Sequence, residues 1–140
     1  MQRIEPVRLS RSGTRVKLTL RASSVSSASI DRIYISQADP AGEPFDSAGD
    51  LTEVTSVPFV IPAGTEVTLA PVNYRFDETK PLLIAVDFSA APGSTIRVND
   101  AVPPAQASTY FKQEAAAATA NRTGFTPDPG LYLVERIEVF

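Results

Sequence analysis

The chain has 140 residues, contains neither histidine nor cysteine, and carries a formal net charge of -3. A chain of this length can bury a core without disulfides or metal, and the missing residue types exclude a Ser-His-Asp triad, a thiol nucleophile and a thiolate zinc site. The acidic balance argues against nucleic acid as a partner, because binding to phosphates needs a basic face.

The first 18 residues contain no unbroken apolar run, so we expect no secretory signal. No stretch approaches the roughly 18 apolar residues that a membrane helix needs, and we expect no membrane partner. Twelve prolines predict many short elements, since proline interrupts helices and central strands. We divide the chain into an N-terminal arm, residues 1–14, and a single domain, residues 15–140.

Residues 15–22 give the clearest strand signal, because apolar positions alternate there with charged and polar ones. The next predicted strand places Ile33 and Ile35 on one face and Tyr34 on the other. Residues 38–50 are dense in Asp, Pro and Gly and predict a long loop.

Residues 57–72, VPFVIPAGTEVTLAPV, predict two short strands joined by a turn at Ala63 and Gly64. The prolines lack an N–H for a strand ladder and therefore predict strand ends, edges or bulges. The parity of the apolar positions changes between Leu69 and Val72. We expect the chain to turn a corner between two sheets near Pro71.

The second half predicts two more strands and one ambiguous segment. Residues 81–89 have the pattern of a central strand, and residues 131–140 predict a final strand with a bulge near Glu135, whose burial without a partner would be costly. Residues 109–125 are compatible with a short helix near 110–121, favoured by the alanine run, or with an ordered loop anchored by aromatic residues. Short strands with Pro/Gly turns and no βαβ alternation predict an all-β fold, an antiparallel, jelly-roll-like β-sandwich.

In a chain without histidine or cysteine, the carboxylates remain candidates for acid–base catalysis. Asp31, Asp87 and Glu135 lie on or beside predicted strands, and two of them could flank a substrate as in glycosidases. The alternative is that they are surface charges or partners of arginines. We expect the alternative, and therefore no catalytic residues, no cofactor and no enzyme activity.

The loop at residues 38–50 offers oxygen ligands of the kind that calcium prefers. The weak calcium candidates are Asp39, Glu43, Asp46 and Asp50. Their spacing does not match a calcium-loop pattern, and we expect a solvated acidic loop without metal.

Two further groups of side chains are candidates for binding a partner. Arg3, Arg8 and Arg11 make the N-terminus basic and could dock onto an acidic surface of another copy or of a neighbouring protein, or simply be solvated. Tyr34, Tyr74 and Tyr110 could form a glycan-binding face, because aromatic rings offer flat apolar area with a polar tip, or could complete the core.

Residues 57–93, VPFVIPAGTEVTLAPVNYRFDETKPLLIAVDFSAAPG, resemble the accessory β-domain that precedes the catalytic domain in many GDSL/SGNH-type hydrolases. Similar domains occur alone among small proteins of tailed-phage and prophage structural regions, with strands like IDRIYIS and LYLVERIEV. The GDS nucleophile block and the catalytic Asp-x-x-His of the hydrolases are absent from this sequence. The resemblance therefore implies the β-sandwich without the hydrolase activity.

The function expected from these observations is that of a virion structural or adhesion protein of a tailed phage: a head-decoration, fibre or tail-associated subunit. It would be made in the host bacterial cytoplasm and located in the virion. Its partners would be further copies of itself, as a homo-oligomer, and other virion proteins. The alternative is a carbohydrate-binding module that recognises surface polysaccharide.

Overall fold

The computed structural model describes residues 1–89, 97–99, 106–128 and 131–140. Apart from one 3-10 turn at Pro6–Arg8, the regular elements of these residues are strands. The strands are β1 (Gln2–Ile4), β2 (Gly13–Arg21), β3 (Ala28–Gln37), β4 (Thr52–Thr55), β5 (Phe59–Ile61), β6 (Glu66–Thr68), β7 (Val72–Phe76), β8 (Leu82–Phe88), β9 (Arg97–Asn99), β10 (Ala107–Phe111), β11 (Thr126–Asp128), β12 (Leu131–Tyr132) and β13 (Val134–Val139).

The strands form two main antiparallel sheets. The larger sheet has the order β11-β10-β1-β8-β3-β4, with β5 also paired to β3, and the smaller sheet has the order β13-β2-β6, with β7 also paired to β2. Strands β9 and β12 form a separate pair. Apolar side chains from both sheets pack into one core, so the predicted antiparallel β-sandwich is confirmed.

The inward-facing side chains of β2 and β8 form the centre of that core. Leu18 and Leu20 of β2 are fully buried and lie opposite the apolar face of β8, which includes Leu82 and Ile84. On β3, Ile33 and Ile35 are buried while Tyr34 points to the other face, as the sequence predicts. Burying a Leu or Ile side chain contributes about 1.5–3 kcal/mol, so these positions account for much of the stability.

The chain crosses between the sheets at Gly64, seven residues before the predicted corner at Pro71. Strand β5 pairs with β3 of the larger sheet, whereas β6 and β7 both pair with β2 of the smaller sheet. Between β6 and β7 the chain holds one residue more than the facing part of β2, and this bulge near Pro71 changes the parity without a change of sheet. The prediction of a corner at Pro71 is therefore wrong.

The predicted bulge at Glu135 is confirmed. Val134 lies opposite Leu20 and Arg136 lies opposite Thr19, so Glu135 is the extra residue in β13. Its side chain is exposed, while Leu133 before it is buried. The bulge releases the carboxylate to solvent and keeps the apolar neighbours against the core.

Residues 1–14 do not form an arm beside the domain. Strand β1 lies between β8 and β10 in the larger sheet, with Gln2 opposite Ile84 on one side and Thr109 on the other. Ile4 belongs to the hydrophobic core. Strand β1 has only three residues, one of which is an arginine. So short a segment shows no clear alternation, and the prediction, which was based on charge, missed it.

The segment at 109–125 is a strand followed by an ordered loop, so the helix alternative is wrong. Its first residues belong to β10, and residues 112–125 contain no helix. The backbone N–H groups of Ala116 and Ala117 bond to the carboxylate of Asp87. Alanine propensity favours a helix by only tenths of a kcal/mol per residue, and these tertiary hydrogen bonds outweigh it.

Candidate functional surface

Two loops cover the outer face of the larger sheet, and we call residues 39–50 and 112–125 together the outer layer. The ring of Phe45 lies 5.4 Å from that of Tyr110, edge to face, and stacks on Phe125 at 5.2 Å. The Ser47 N–H donates to the Ala120 carbonyl at 3.0 Å, which joins the two loops. The outer layer explains why Leu83 and Ala85, on the face of β8 that points away from the core, are also buried.

Arg122 holds the outer layer together from its centre. The side chain is 2% exposed. Its guanidinium donates to the carbonyl oxygens of Phe45 at 2.7 Å, Ala117 at 3.1 Å and Ala116 at 3.3 Å. Burial lowers the pKa of Arg122 to about 10, against the opposing effect of Asp46 and Asp87, so the group is still a cation at neutral pH.

Sequence reasoning did not single out Arg122. An arginine after an alanine run is usually solvated, and its acceptors are backbone carbonyls, which leave no pattern in the sequence. The spacing of 77 residues between Arg122 and Phe45 places this contact beyond any local signal.

Asp87 supports the outer layer from the sheet. It is 8% exposed, and its Oδ1 accepts hydrogen bonds from the N–H groups of Ala116 at 2.9 Å and Ala117 at 3.0 Å. Its Oδ2 lies 3.6 Å from Nε of Arg32. The carboxylate therefore anchors a loop and has an arginine beside it.

Of the other two acids considered for catalysis, Asp31 is the extra residue of β3 in the bulge beside Asp87, whereas Glu135 lies on the other sheet. Asp31 accepts a hydrogen bond from the Ser89 hydroxyl at the surface of the larger sheet. Glu135 is on the smaller sheet, 3.8 Å from Arg21. Asp31 and Asp87 are thus neighbours whose carboxylates each accept hydrogen bonds from other groups, and the structure does not bring Glu135 to either of them.

The four calcium candidates serve as hydrogen-bond acceptors within the outer layer or are exposed. Asp46 accepts from the N–H of Arg122 at 2.6 Å, Asp39 from the N–H of Ala41 at 2.9 Å, and Glu43 is exposed. Asp50 accepts from the N–H of Gln37 at 3.1 Å. In the part of the chain that the structure describes, no three acidic residues are grouped as a metal site would require.

The three tyrosines do not form one face. Tyr74 is 5% exposed in the core and donates its hydroxyl to Asp50 Oδ2 at 2.5 Å. Burial, followed by the hydrogen bond to Asp50, raises the pKa of Tyr74. A buried ring cannot stack on a sugar, so the prediction of Tyr74 as a glycan contact is wrong.

Tyr34 and Tyr110 are half-buried and lie apart from each other. Tyr34 donates to Glu53 at 2.9 Å, and this hydrogen bond raises the pKa of Tyr34. Tyr110 packs on Phe45 in the outer layer. Their strands, β3 and β10, are separated by β8 and β1, a spacing of about 14 Å at roughly 4.8 Å per strand.

Of the three arginines predicted to dock, Arg3 is occupied within the molecule. Its Nε lies 2.6 Å from Glu5 and its Nη1 donates to the Pro44 carbonyl at 2.9 Å. Arg8 and Arg11 are exposed. The basic surface that remains for a partner is therefore smaller than the sequence suggests.

A shallow depression of about 320 Å³ lies beside the outer layer and is lined by Phe111, Lys112, Gln113, Glu114, Gly124 and Thr126. Its charged groups, Lys112 and Glu114, pair with each other at 3.0 Å. Phe111 is 48% exposed at its rim. The lining offers one apolar ring and one neutralised ion pair, which suits a surface contact better than a reaction.

The outer face of the smaller sheet is open and charged. Lys17 pairs with Glu138 at 2.9 Å, Arg136 lies 3.6 Å from the same carboxylate, and the hydroxyls of Thr19 and Thr68 share a hydrogen bond of 3.0 Å. Lys17 of β2 and Glu138 of β13 lie directly opposite each other on the two strands. These charges favour contacts with another polar surface.

Comparison with models of known protein families and with the sequences of curated proteins gives no match for this chain. In the described ranges, no helix has the length and apolar character needed to cross a membrane.

Proposed function

We propose that the protein is a non-enzymatic structural or adhesion subunit of a tailed phage or a phage-like particle. It would act in head decoration, in a fibre or beside the tail, through self-association and docking onto other virion proteins. The assignment is motivated by the resemblance of this sequence to the accessory β-domain of GDSL/SGNH-type hydrolases, because similar domains occur alone in phage structural regions.

The observation that carries the proposal is that the buried polar side chains hold the fold together, which leaves the exposed ones for contacts with partners. Arg122, Asp87 and Asp46 are all engaged in holding the outer layer on the sheet. The groups left in solvent include the charged face of the smaller sheet, the exposed Arg8 and Arg11, and strand edges such as that of β13. Such surfaces suit repeated contacts between subunits.

The test is whether the protein is a component of particles. Particles purified from the producing bacterium should contain the chain in stoichiometric amount by mass spectrometry. The double variant R8E/R11E should be incorporated several-fold less, because it reverses the exposed basic patch. As a control, K80E reverses one exposed lysine of the turn between β7 and β8, which is not part of the surfaces named above, and should be incorporated like wild type.

Absence of the protein from purified particles would remove this proposal, whatever its oligomeric state. In the carbohydrate-binding alternative, Tyr74 is too buried to contact a sugar. Tyr34 and Tyr110 remain as candidate contacts, on strands that are not neighbours. Titration calorimetry of surface polysaccharide with Y34A and Y110A tests this alternative. If the affinity is unchanged in both variants, neither tyrosine contacts the sugar and the alternative fails.

A further inference from the structure

The free edge of the smaller sheet carries a self-complementary charge pattern. Among the described strands, β13 pairs only with β2 and so lies at the end of that sheet. It is six residues long, and at its end Phe140 is 50% exposed. An edge strand of this length presents unpaired N–H and C=O groups to another chain.

The ladder with β2 identifies which backbone groups point outward. Phe140 and Arg15 exchange both hydrogen bonds, with N···O distances of 2.9 and 3.1 Å. In an antiparallel pair, bonded and non-bonded residues alternate, so Glu138 also bonds to β2 and the N–H and C=O of Ile137 and Val139 point away from it. The outward groups are therefore those of the two apolar positions.

We propose that β13 pairs antiparallel with β13 of a second copy of this chain, around a two-fold axis at Ile137. In this register the two Ile137 residues exchange both backbone hydrogen bonds. Arg136 of each copy then lies directly opposite Glu138 of the other. The two smaller sheets become one continuous sheet of six strand positions, with β13 of both copies at its centre.

Charge selects this register over its neighbours. A two-fold axis one residue earlier would oppose Arg136 to Arg136, and an axis one residue later would oppose Glu138 to Glu138, and like charges directly opposite are destabilising. The favoured pairs are also non-hydrogen-bonded pairs, in which side chains approach most closely. On the outer face, Arg136 is exposed, and Glu138 is half-buried with Lys17 of its own chain 2.9 Å away.

Apolar burial adds to the pairing. Ile137 and Val139 are half-buried members of the core periphery in the isolated chain. A second β13 would bring Ile137 of the two copies side by side over the inner face. In this register Glu135 of each copy faces Val139 of the other, with its side chain left exposed by the bulge.

The inference rests on the proposed function in one respect: it assigns a defined surface to the self-association proposed there. Wild-type protein should sediment as a dimer at micromolar concentration. R136E and E138R should each raise the dimer dissociation constant at least about tenfold, since each creates two like-charge pairs across the axis. R75E, the same charge reversal at the opposite edge of the sheet, should dimerise like wild type.

The decisive measurement mixes the two weakened variants. In an equimolar mixture, R136E supplies Glu at both positions and E138R supplies Arg at both, so every cross-axis pair is opposite in charge. The heterodimer should regain the wild-type dissociation constant within about threefold. A single cooperative thermal unfolding transition in each variant establishes that it is folded, even where E138R lowers the midpoint by removing the ion pair with Lys17.

A monomeric wild-type protein, a dimer that R136E leaves unchanged, or a mixture that stays monomeric would each overturn the β13 interface. These outcomes are separate from the fate of the proposed function. A dimer that withstands R136E in a protein found in particles rejects only the interface, and a β13 dimer absent from particles rejects only the function.

Discussion

Arg122 shows how one buried cation can organise two loops that are distant in sequence. Its guanidinium donates to three carbonyl oxygens, and its backbone N–H donates to the carboxylate of Asp46. Hydrogen bonds to a charged donor contribute roughly 1.5–3 kcal/mol each, and carbonyls left unbonded in a buried site are costly. The residue is thus structural, and its loss should loosen the outer layer first.

We expect R122M to lower the free energy of unfolding by about 3 kcal/mol or more, because three carbonyl acceptors lose their donor. R11M, at an exposed arginine, should stay within about 0.5 kcal/mol of wild type. Urea unfolding measures both. Limited proteolysis of R122M should cut first within residues 112–125, and equal stability of the two variants would contradict the role given to Arg122.

Two tyrosines that each donate to a carboxylate provide a matched pair. Tyr74 is buried against Asp50, whereas the contact of Tyr34 with Glu53 is exposed. Y74F should destabilise the protein by about 1.5–3 kcal/mol, because Asp50 loses a buried charged hydrogen bond. Y34F should change it by at most about 0.5 kcal/mol. Chemical denaturation of the two variants should therefore rank them clearly, and a reversed order would refute the burial argument.

At the scale of elements, the crossing between the sheets depends on a turn with positive φ. Gly64 has φ of 72°, and its N–H donates to the Ser23 carbonyl at 2.7 Å. No atom lies within 4 Å of a Cβ built on this residue, so only backbone conformation restricts it. The turn from β5 to β6 is thereby fastened to the connection from β2 to β3.

G64A should cost about 1–2 kcal/mol, because a residue with a Cβ is strained in the left-handed region. G64N should recover part of this loss, since asparagine tolerates that region better than alanine. Thermal unfolding compares the two variants. If alanine and asparagine were equally destabilising, conformation would not be the reason for glycine here.

For the molecule as a whole, three carboxylates at or near the surface link stability to pH. Hydrogen bonds lower the pKa values in the folded state: from Ser56 and then Tyr34 for Glu53, from Thr79 for Asp77, and from Lys17 for Glu138. The unfolded chain then binds more protons in acid than the folded chain does. Their contribution is complete above the ordinary pKa values of 4.5 and 3.8 and is lost as pH falls through the lowered ones.

The urea midpoint should therefore be lower at about pH 3 than at about pH 7, because the folded state alone disfavours protonation of these groups. The triple variant E53Q/D77N/E138Q should show a smaller drop between the two conditions. An identical pH dependence in variant and wild type would show that other groups control the acid response.

The sequence by itself determined the features that depend on near neighbours. Alternation predicted the inward faces of β2, β3 and β8, and the conflict between Glu135 and its apolar neighbours predicted a bulge that β13 has. Each of these follows from side-chain parity over a few residues, where the cost of burying a charge is decisive.

Only the tertiary structure decided what covers the sheets and where the chain changes sheet. Asp87 meets Ala116 across 29 residues and Arg122 meets Phe45 across 77, and neither contact has a local pattern. Tyr74 is a further example. Its position in the sequence is compatible with either the core or the surface, and its burial depends on Asp50, which accepts a hydrogen bond from its hydroxyl. Such contacts depend on which loops fold back over which face, and parity within one strand carries no information about that choice.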